Sequence, residues 1–234
     1  MRSAAIFDVD GTLLRGFIIQ SFPRYLADHG VIDKRSSDRI DEVFNSYDAG
    51  ATDYRYAAET VPAIYAEAIE GVEESTVKRH AHDYMRAHVT SSIHPYTAEL
   101  IERVREKVDL VIALSGSPAE PIQCMAALGF HQAHGSVFEV KNGAYTGEIT
   151  WNLILGERKA QYARKVAEAH RVDLSRTVSF GDSDQDTQTM SLTGLPIALN
   201  PSGAMRELCE ARGWRAYTSE TINIPEIVGL AAAL

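Results

Sequence analysis

Ala4-Ala5-Ile6-Phe7-Asp8-Val9-Asp10-Gly11-Thr12 passes from an apolar run straight into acids, a glycine and a hydroxyl. An apolar run this short, ending at charge, reads as a buried strand over residues 4–9. It would deliver Asp8 and Asp10 at its carboxyl end. The same form recurs downstream. Leu110-Val111-Ile112-Ala113-Leu114 ends at Ser115-Gly116, Thr177-Val178-Ser179-Phe180 ends at Gly181-Asp182, and Ile197-Ala198-Leu199 ends at Asn200-Pro201.

Helical patterns lie between these runs. Leu100, Ile101, Val104 and Val108 share one face of a helix over 98–108, and Tyr162, Ala163, Val166, Ala167 and His170 share one over 159–170. Strands alternating with helices mean βαβ units around a parallel sheet. The expected fold is α/β: a three-layer, Rossmann-like parallel sheet core. Residues 16–90 break the rhythm, with helix-compatible sequence, turns at Gly30, Gly50 and Gly71, and the tyrosines Tyr47, Tyr54, Tyr56 and Tyr65. They read as a helical cap inserted after the first strand, leaving residues 1–15 and 91–234 as the catalytic core. Asn142-Gly143 between Phe138–Lys141 and Ala144–Ile149 predicts a hairpin with a type I′ turn.

The bulk composition narrows the function. The chain has 234 residues and a formal net charge of −9, which argues against a nucleic-acid or anionic-membrane partner, since both rest on clustered Lys and Arg. Cys124 and Cys209 are too few and too far apart for a disulfide framework or a zinc signature. No run approaches the length of a membrane span and Asp8 interrupts any leader-like stretch, so cytoplasmic residence is the expectation. His80, His82 and His88 do not share a helix face as a metal site would need, and read as solvated. The sequence leaves the oligomeric state open.

In open α/β sheets, ligands bind beyond the carboxyl ends of the strands. Asp8, Asp10 and Asp182 converge on such a mouth, with Asp184 and Asp186 following. Converging carboxylates repel unless neutralised, and a hard dication with oxygen ligands such as Mg²⁺ is the natural neutraliser. A carboxylate beside that ion can attack phosphorus. Ser117 ahead of Pro118 reads as the cap of a helix ending near Gly129, and Lys159 supplies positive charge.

The ordered set resembles the haloacid dehalogenase superfamily, in its phosphoserine-phosphatase-like branch. The residues that carry the resemblance are Ala5-Ile6-Phe7-Asp8-Val9-Asp10-Gly11-Thr12-Leu13, Ala113-Leu114-Ser115-Gly116-Ser117, Lys159, and Gly181-Asp182-Ser183-Asp184-Gln185-Asp186, with Lys159 placed 23 residues before Asp182. The resemblance implies a Mg²⁺-dependent phosphatase acting on a small phosphorylated metabolite. Asp8 would be the nucleophile and a metal ligand. Asp10 would be the general acid and base, with its backbone carbonyl on the metal. Ser115, the Gly116 amide and Lys159 would hold phosphate. Asp182 would complete the metal site and Asp186 would orient metal-bound water or Lys159, with Asp184 a solvated loop acid. Asp10 favours phosphoryl chemistry over dehalogenation, because a departing halide needs no proton. Transfer to an acceptor alcohol would use the same residues. A receiver-like phospho-acceptor module is the alternative from another class, but such modules are about half this length and lack a cap.

The resemblance also bears on the substrate. Phosphoserine phosphatases usually carry a Glu seven residues after the second Asp of the first motif, where this chain has Phe17, and a cap Arg at a position that a gapless count from Tyr54 assigns to Val61. An apolar Phe17 cannot pair with an ammonium as a carboxylate does. Phe17, Gln20, Arg24 and Arg55 are the expected pocket residues, and the expected substrate is a small phosphomonoester other than phosphoserine, with phosphoserine itself the minority alternative.

Overall fold

The computed structural model describes residues 1–234, apart from the side chains of residues 88–90. Strand β1 (Arg2–Phe7) is followed by helices α1 (Ile18–Asp28), α2 (Lys34–Asp48), α3 (Tyr54–Ile69), α4 (Glu74–Ser92) and α5 (Thr97–Arg105). Then come β2 (Leu110–Pro118), α6 (Ala119–Gln123) with a 3₁₀ turn (Cys124–Leu128), β3 (Gln132–Lys141) and β4 (Ala144–Trp151). The chain ends with α7 (Gly156–His170), β5 (Val172–Gly181), α8 (Thr187–Met190), β6 (Leu195–Leu199), α9 (Gly203–Arg212), β7 (Arg215–Tyr217) and α10 (Ile224–Ala232).

The seven strands form one sheet in the order β4-β3-β2-β1-β5-β6-β7. All neighbours are parallel except the β3–β4 hairpin. The alternation along β1 explains the layers. Ala5 and Phe7 face a cluster that includes Leu100 and Ile101 of α5 and Ile227 of α10, while Ala4 and Ile6 face Ala163, Val166 and Ala167 of α7. A sheet covered by helices on both faces is the expected three-layer α/β core.

Phe7, the residue before Asp8, stacks on Phe180 of β5 at 4.2 Å and meets Phe130 edge-on at 5.6 Å. Each such pair contributes about 0.5–1.5 kcal/mol beyond its burial. That packing fixes the end of β1.

Helices α1–α4 occupy the interval expected to be helical, and turns fall at Gly30, Gly50 and Gly71. Asp33 and Asp53 cap α2 and α3 by accepting from the amides of Arg35 and Tyr56, both at 2.8 Å. Tyr65 is fully buried and packs edge-on against Phe138 at 4.9 Å, so α3 shares the main hydrophobic cluster with the sheet. Among the described residues, no helix is long and apolar enough to cross a membrane.

The hairpin is present, with positive φ at Asn142 (54°) and Gly143 (84°) as a type I′ turn requires. Two local expectations need correction. Ser117 does not cap a helix starting at Pro118, because pairing with β3 carries β2 through Pro118 and the helix begins at Ala119. His80 is not freely solvated: it is half-buried against the rings of Tyr25 and His29. His82 is exposed, and the side chain of His88 lies outside the described residues.

Candidate active site

Three strand ends and the first turn of a helix meet at the carboxyl edge of the sheet. Asp8 follows β1, its amide donating to the Phe180 carbonyl at 2.9 Å, and its side chain is buried. Lys159 stands in the first turn of α7 and is buried too. Its Nζ donates to Asp8 Oδ1 at 2.5 Å and to Asp186 Oδ1 at 2.7 Å. The lysine therefore bridges two motifs that are far apart in the chain.

Asp186 Oδ2 accepts from the Asp182 amide, the Ser183 amide and the Ser183 hydroxyl, each at 3.2 Å. Both of its oxygens are thus engaged, one by the lysine and one by the loop. Asp182 Oδ1 accepts from Thr12 Oγ1 at 2.9 Å. One carboxylate oxygen from each of Asp8, Asp182 and Asp186 lies within 4.8 Å of the others.

Asp10 is held from two sides. Its Oδ1 accepts from the Ile18 amide at 2.6 Å and its Oδ2 from Ser115 Oγ at 2.6 Å. Ser117 Oγ accepts from the next amide, Ile19 N–H, at 2.9 Å. The first two orphan amides of α1 are therefore capped by side chains from β2 and the loop after β1, while Phe17 at its own N-cap gives no side-chain bond. Ser115 is fully buried and also accepts from the Ser117 amide at 2.9 Å. Its hydroxyl is engaged with Asp10, so a phosphate contact through it requires that bond to be exchanged. Gly116 passes so close to Ile154 that a Cβ there would sit 2.9 Å from its Cα. Asp184 is exposed, as expected.

The electrostatics follow from four carboxylates around a single buried lysine. Burial pushes Asp8 up to about 7, against the pull of Lys159, with Asp186 and Asp10 adding repulsion. Burial raises Asp10, opposed by its bonds from Ile18 and Ser115. Burial, then the charges of Asp8 and Asp186, raise Asp182 well above the carboxylate range. For Lys159, burial acts to lower the pKa, but Asp186 and Asp8 outweigh it and hold the ammonium charged.

This set fits a hard dication. Asp8 Oδ2 is buried with no hydrogen-bond partner among the described residues. Asp182 Oδ1 is taken by Thr12, which leaves its Oδ2 turned toward the Gly11 backbone. Carboxylate oxygens with excess negative charge around them are what Mg²⁺ prefers. Asp186, with both oxygens engaged, suits an orienting role.

Of the four expected pocket residues, only Phe17 lines a cavity beside this centre. Val61 shares that cavity. Gln20 instead donates to Asp41 at 3.1 Å, Arg24 forms a forked pair with Asp41 at 2.7 and 2.6 Å, and Arg55 pairs with Glu59 and Glu157, both at 2.9 Å. The sequence reading missed a second set. The Tyr96 hydroxyl donates to the Thr12 carbonyl, Asn200 Nδ2 donates to the Tyr96 hydroxyl at 2.8 Å, and Tyr54 donates to the Ile154 carbonyl at 2.9 Å. These fix the loop after β1 and the segment before α7. Thr12 lay inside the first motif, Tyr54 and Asn200 were legible only as a cap tyrosine and a strand end without their partners, and Tyr96 carried no sequence signal.

Known proteins are similar to this chain. The chain is 27% identical to the phosphoserine phosphatase SerB1 of Mycobacterium tuberculosis (strain H37Rv), over all of this chain and 78% of that one. It is 22% identical to a histidinol-phosphatase of Neisseria meningitidis serogroup C, over 92% of this chain and 97% of that one. A solved protein of unknown function from Bordetella pertussis Tohama I superposes with a TM-score of 0.77 at 22% identity, covering 96% of this chain and all of the other. The family model described as haloacid dehalogenase-like hydrolase matches residues 5–191, and the chain belongs to that family.

Proposed function

We propose that the chain is a Mg²⁺-dependent phosphatase that hydrolyses a small phosphomonoester through an aspartyl-phosphate on Asp8. The observation that carries this is the state of Asp8. One of its oxygens is held by Lys159, and the other is buried without a partner among the described residues. Such a carboxylate is fixed in direction and screened from water, as a nucleophile should be.

Mg²⁺ held by Asp8 and Asp182 would offset negative charge on the phosphoryl group and the attacking carboxylate. Asp8 forms a bond to phosphorus as the ester P–O bond breaks. Asp10, held in place by the Ile18 amide and the Ser115 hydroxyl, protonates the departing alkoxide to give the free alcohol. Asp10 then takes a proton from the water that attacks the aspartyl-phosphate, releasing inorganic phosphate and restoring Asp8. Lys159 keeps its charge throughout and draws the phosphoryl oxygens toward Asp8. Helices α1–α4, as a cap over residues 16–90, would keep bulk water from the acyl phosphate.

The relatives named for phosphoserine and for histidinol phosphate are similar to this chain to comparable degrees, so family membership leaves the alcohol open. A screen of phosphate release from small phosphorylated metabolites, with and without Mg²⁺, tests the assignment. Release that requires Mg²⁺ is expected. No release from any phosphomonoester with the metal present overturns it.

A further inference from the structure

Beside the catalytic centre lies a cavity of about 160 Å³, walled by Phe17, Phe44, Tyr47, Tyr54, Val61 and Ile154. It is joined to the centre at three points. Phe17 precedes Ile18, whose amide holds Asp10. Ile154 packs on Gly116 and accepts from the Tyr54 hydroxyl. Ile19, also in the wall, donates its amide to Ser117. The cavity wall is therefore continuous with the residues that hold Asp10, Ser117 and Gly116 in place.

The chemistry of the wall is one-sided. The rings of Phe17 and Phe44 stack at 5.6 Å, and those of Tyr47 and Tyr54 meet edge-on at 6.0 Å. Phe17 remains 49% exposed and Tyr47 40%. Asp48 is the one charged residue in the wall, and among the described residues no ion pair holds it. Among the described residues, no Lys, Arg or His lines the cavity. The nearby arginines Arg24 and Arg55 are committed to Asp41, and to Glu59 and Glu157.

We infer that this cavity selects phosphomonoesters of compact ring-bearing or branched alcohols that carry an ammonium group and no carboxylate. This rests on the phosphatase assignment above and specifies its substrate class. The volume admits about one six-membered ring, by comparison with engineered apolar cavities of roughly 150 Å³ that bind benzene. Aromatic faces attract a cation, and Asp48 at the rim completes its recognition. A substrate carboxylate would enter an apolar wall with no counter-charge and face Asp48, which disfavours it.

A matched series separates the inference from its premise. Benzyl phosphate, its para-aminomethyl and para-carboxy derivatives, phosphoserine and acetyl phosphate are compared by kcat/KM with Mg²⁺. Acetyl phosphate, an acyl phosphate whose acetate leaves without needing a proton, does not need the cavity and reports on phosphoryl transfer to Asp8 alone. The expected order places the ammonium ester about two- to fivefold above benzyl phosphate, the range of an exposed charge pair. The two carboxylate esters should fall at least about tenfold below it. In Asp48→Asn, the ratio of ammonium to neutral ester should fall to about one. Hydrolysis of acetyl phosphate together with a lead for phosphoserine or the para-carboxy ester overturns the cavity inference and leaves the phosphatase standing. An unchanged ratio in Asp48→Asn also overturns it. Inertness toward every compound, acetyl phosphate included, removes both.

Discussion

A Cβ on Gly11 would lie 2.3 Å from Oδ2 of Asp182, so the bare backbone of the first motif is what lets the acid of the last motif stand where it does. Gly11 also has φ of +82°, a conformation that other residues adopt only with strain. Gly11→Ala should cost at least about 1 kcal/mol of stability and push Asp182 outward. The expected functional result is a rise in the Mg²⁺ concentration needed for half-maximal phosphate release. A variant with wild-type metal dependence would show that Asp182 does not need that clearance.

Asp8→Asn keeps the shape of the side chain but removes the nucleophile. Turnover should fall by about four orders of magnitude or more. Lys159 retains Asp186 as a partner, so the fold should persist. The melting temperature, measured with the metal chelated, should stay within a few degrees of wild type. Phosphate release near the wild-type rate would remove Asp8 from its role.

The sequence carried the site's chemistry further than its wiring. The β1, β2, β5 and β6 ends were legible because short apolar runs stop at acids, serine or asparagine, which leaves little choice of element. The first half of β3, Gln132-Ala133-His134-Gly135-Ser136, has no apolar run and becomes a strand only by pairing with β2. The three-residue β7 is half-exposed to exposed and depends likewise on β6. Ser117 was misread because a local serine–proline pattern mimics a helix cap, whereas its hydroxyl is used by an amide 98 positions away in sequence. Arg24 and Arg55 looked available for a ligand until their acidic partners were placed beside them. Long-range pairing of this kind has no signature in residue spacing.

Asp186 does two jobs that an amide cannot do at once. One oxygen accepts from Lys159 and the other from the Asp182–Ser183 loop, while Asn offers a single acceptor oxygen. In Asp186→Asn either the lysine or the loop loses its anchor. Activity should drop about 10- to 100-fold, the usual scale for residues that orient metal or phosphate ligands. Asp184→Asn, altering an exposed neighbour, should leave activity unchanged. Equal rates for the two variants would show that Asp186 orients nothing.

Glu120 provides a pH test away from the reaction. It is buried, accepts from the Tyr145 hydroxyl through Oε1 at 2.6 Å, and has no partner for Oε2 among the described residues. Burial raises its pKa above the usual carboxylate value, and the Tyr145 bond only partly opposes this. With the folded pKa above the unfolded one, the folded state holds this proton longer. Its contribution to stability is therefore complete below about pH 4, and is lost as pH rises through the folded pKa. Glu120→Gln keeps an acceptor for Tyr145 and removes the titration. The variant should gain stability relative to wild type as pH increases, with no difference in that sense at the acidic end. Urea unfolding of both proteins from pH 5 to 8 measures the gap. A gap that stays constant, or narrows with rising pH, would mean that Glu120 is already ionised and compensated in the folded protein.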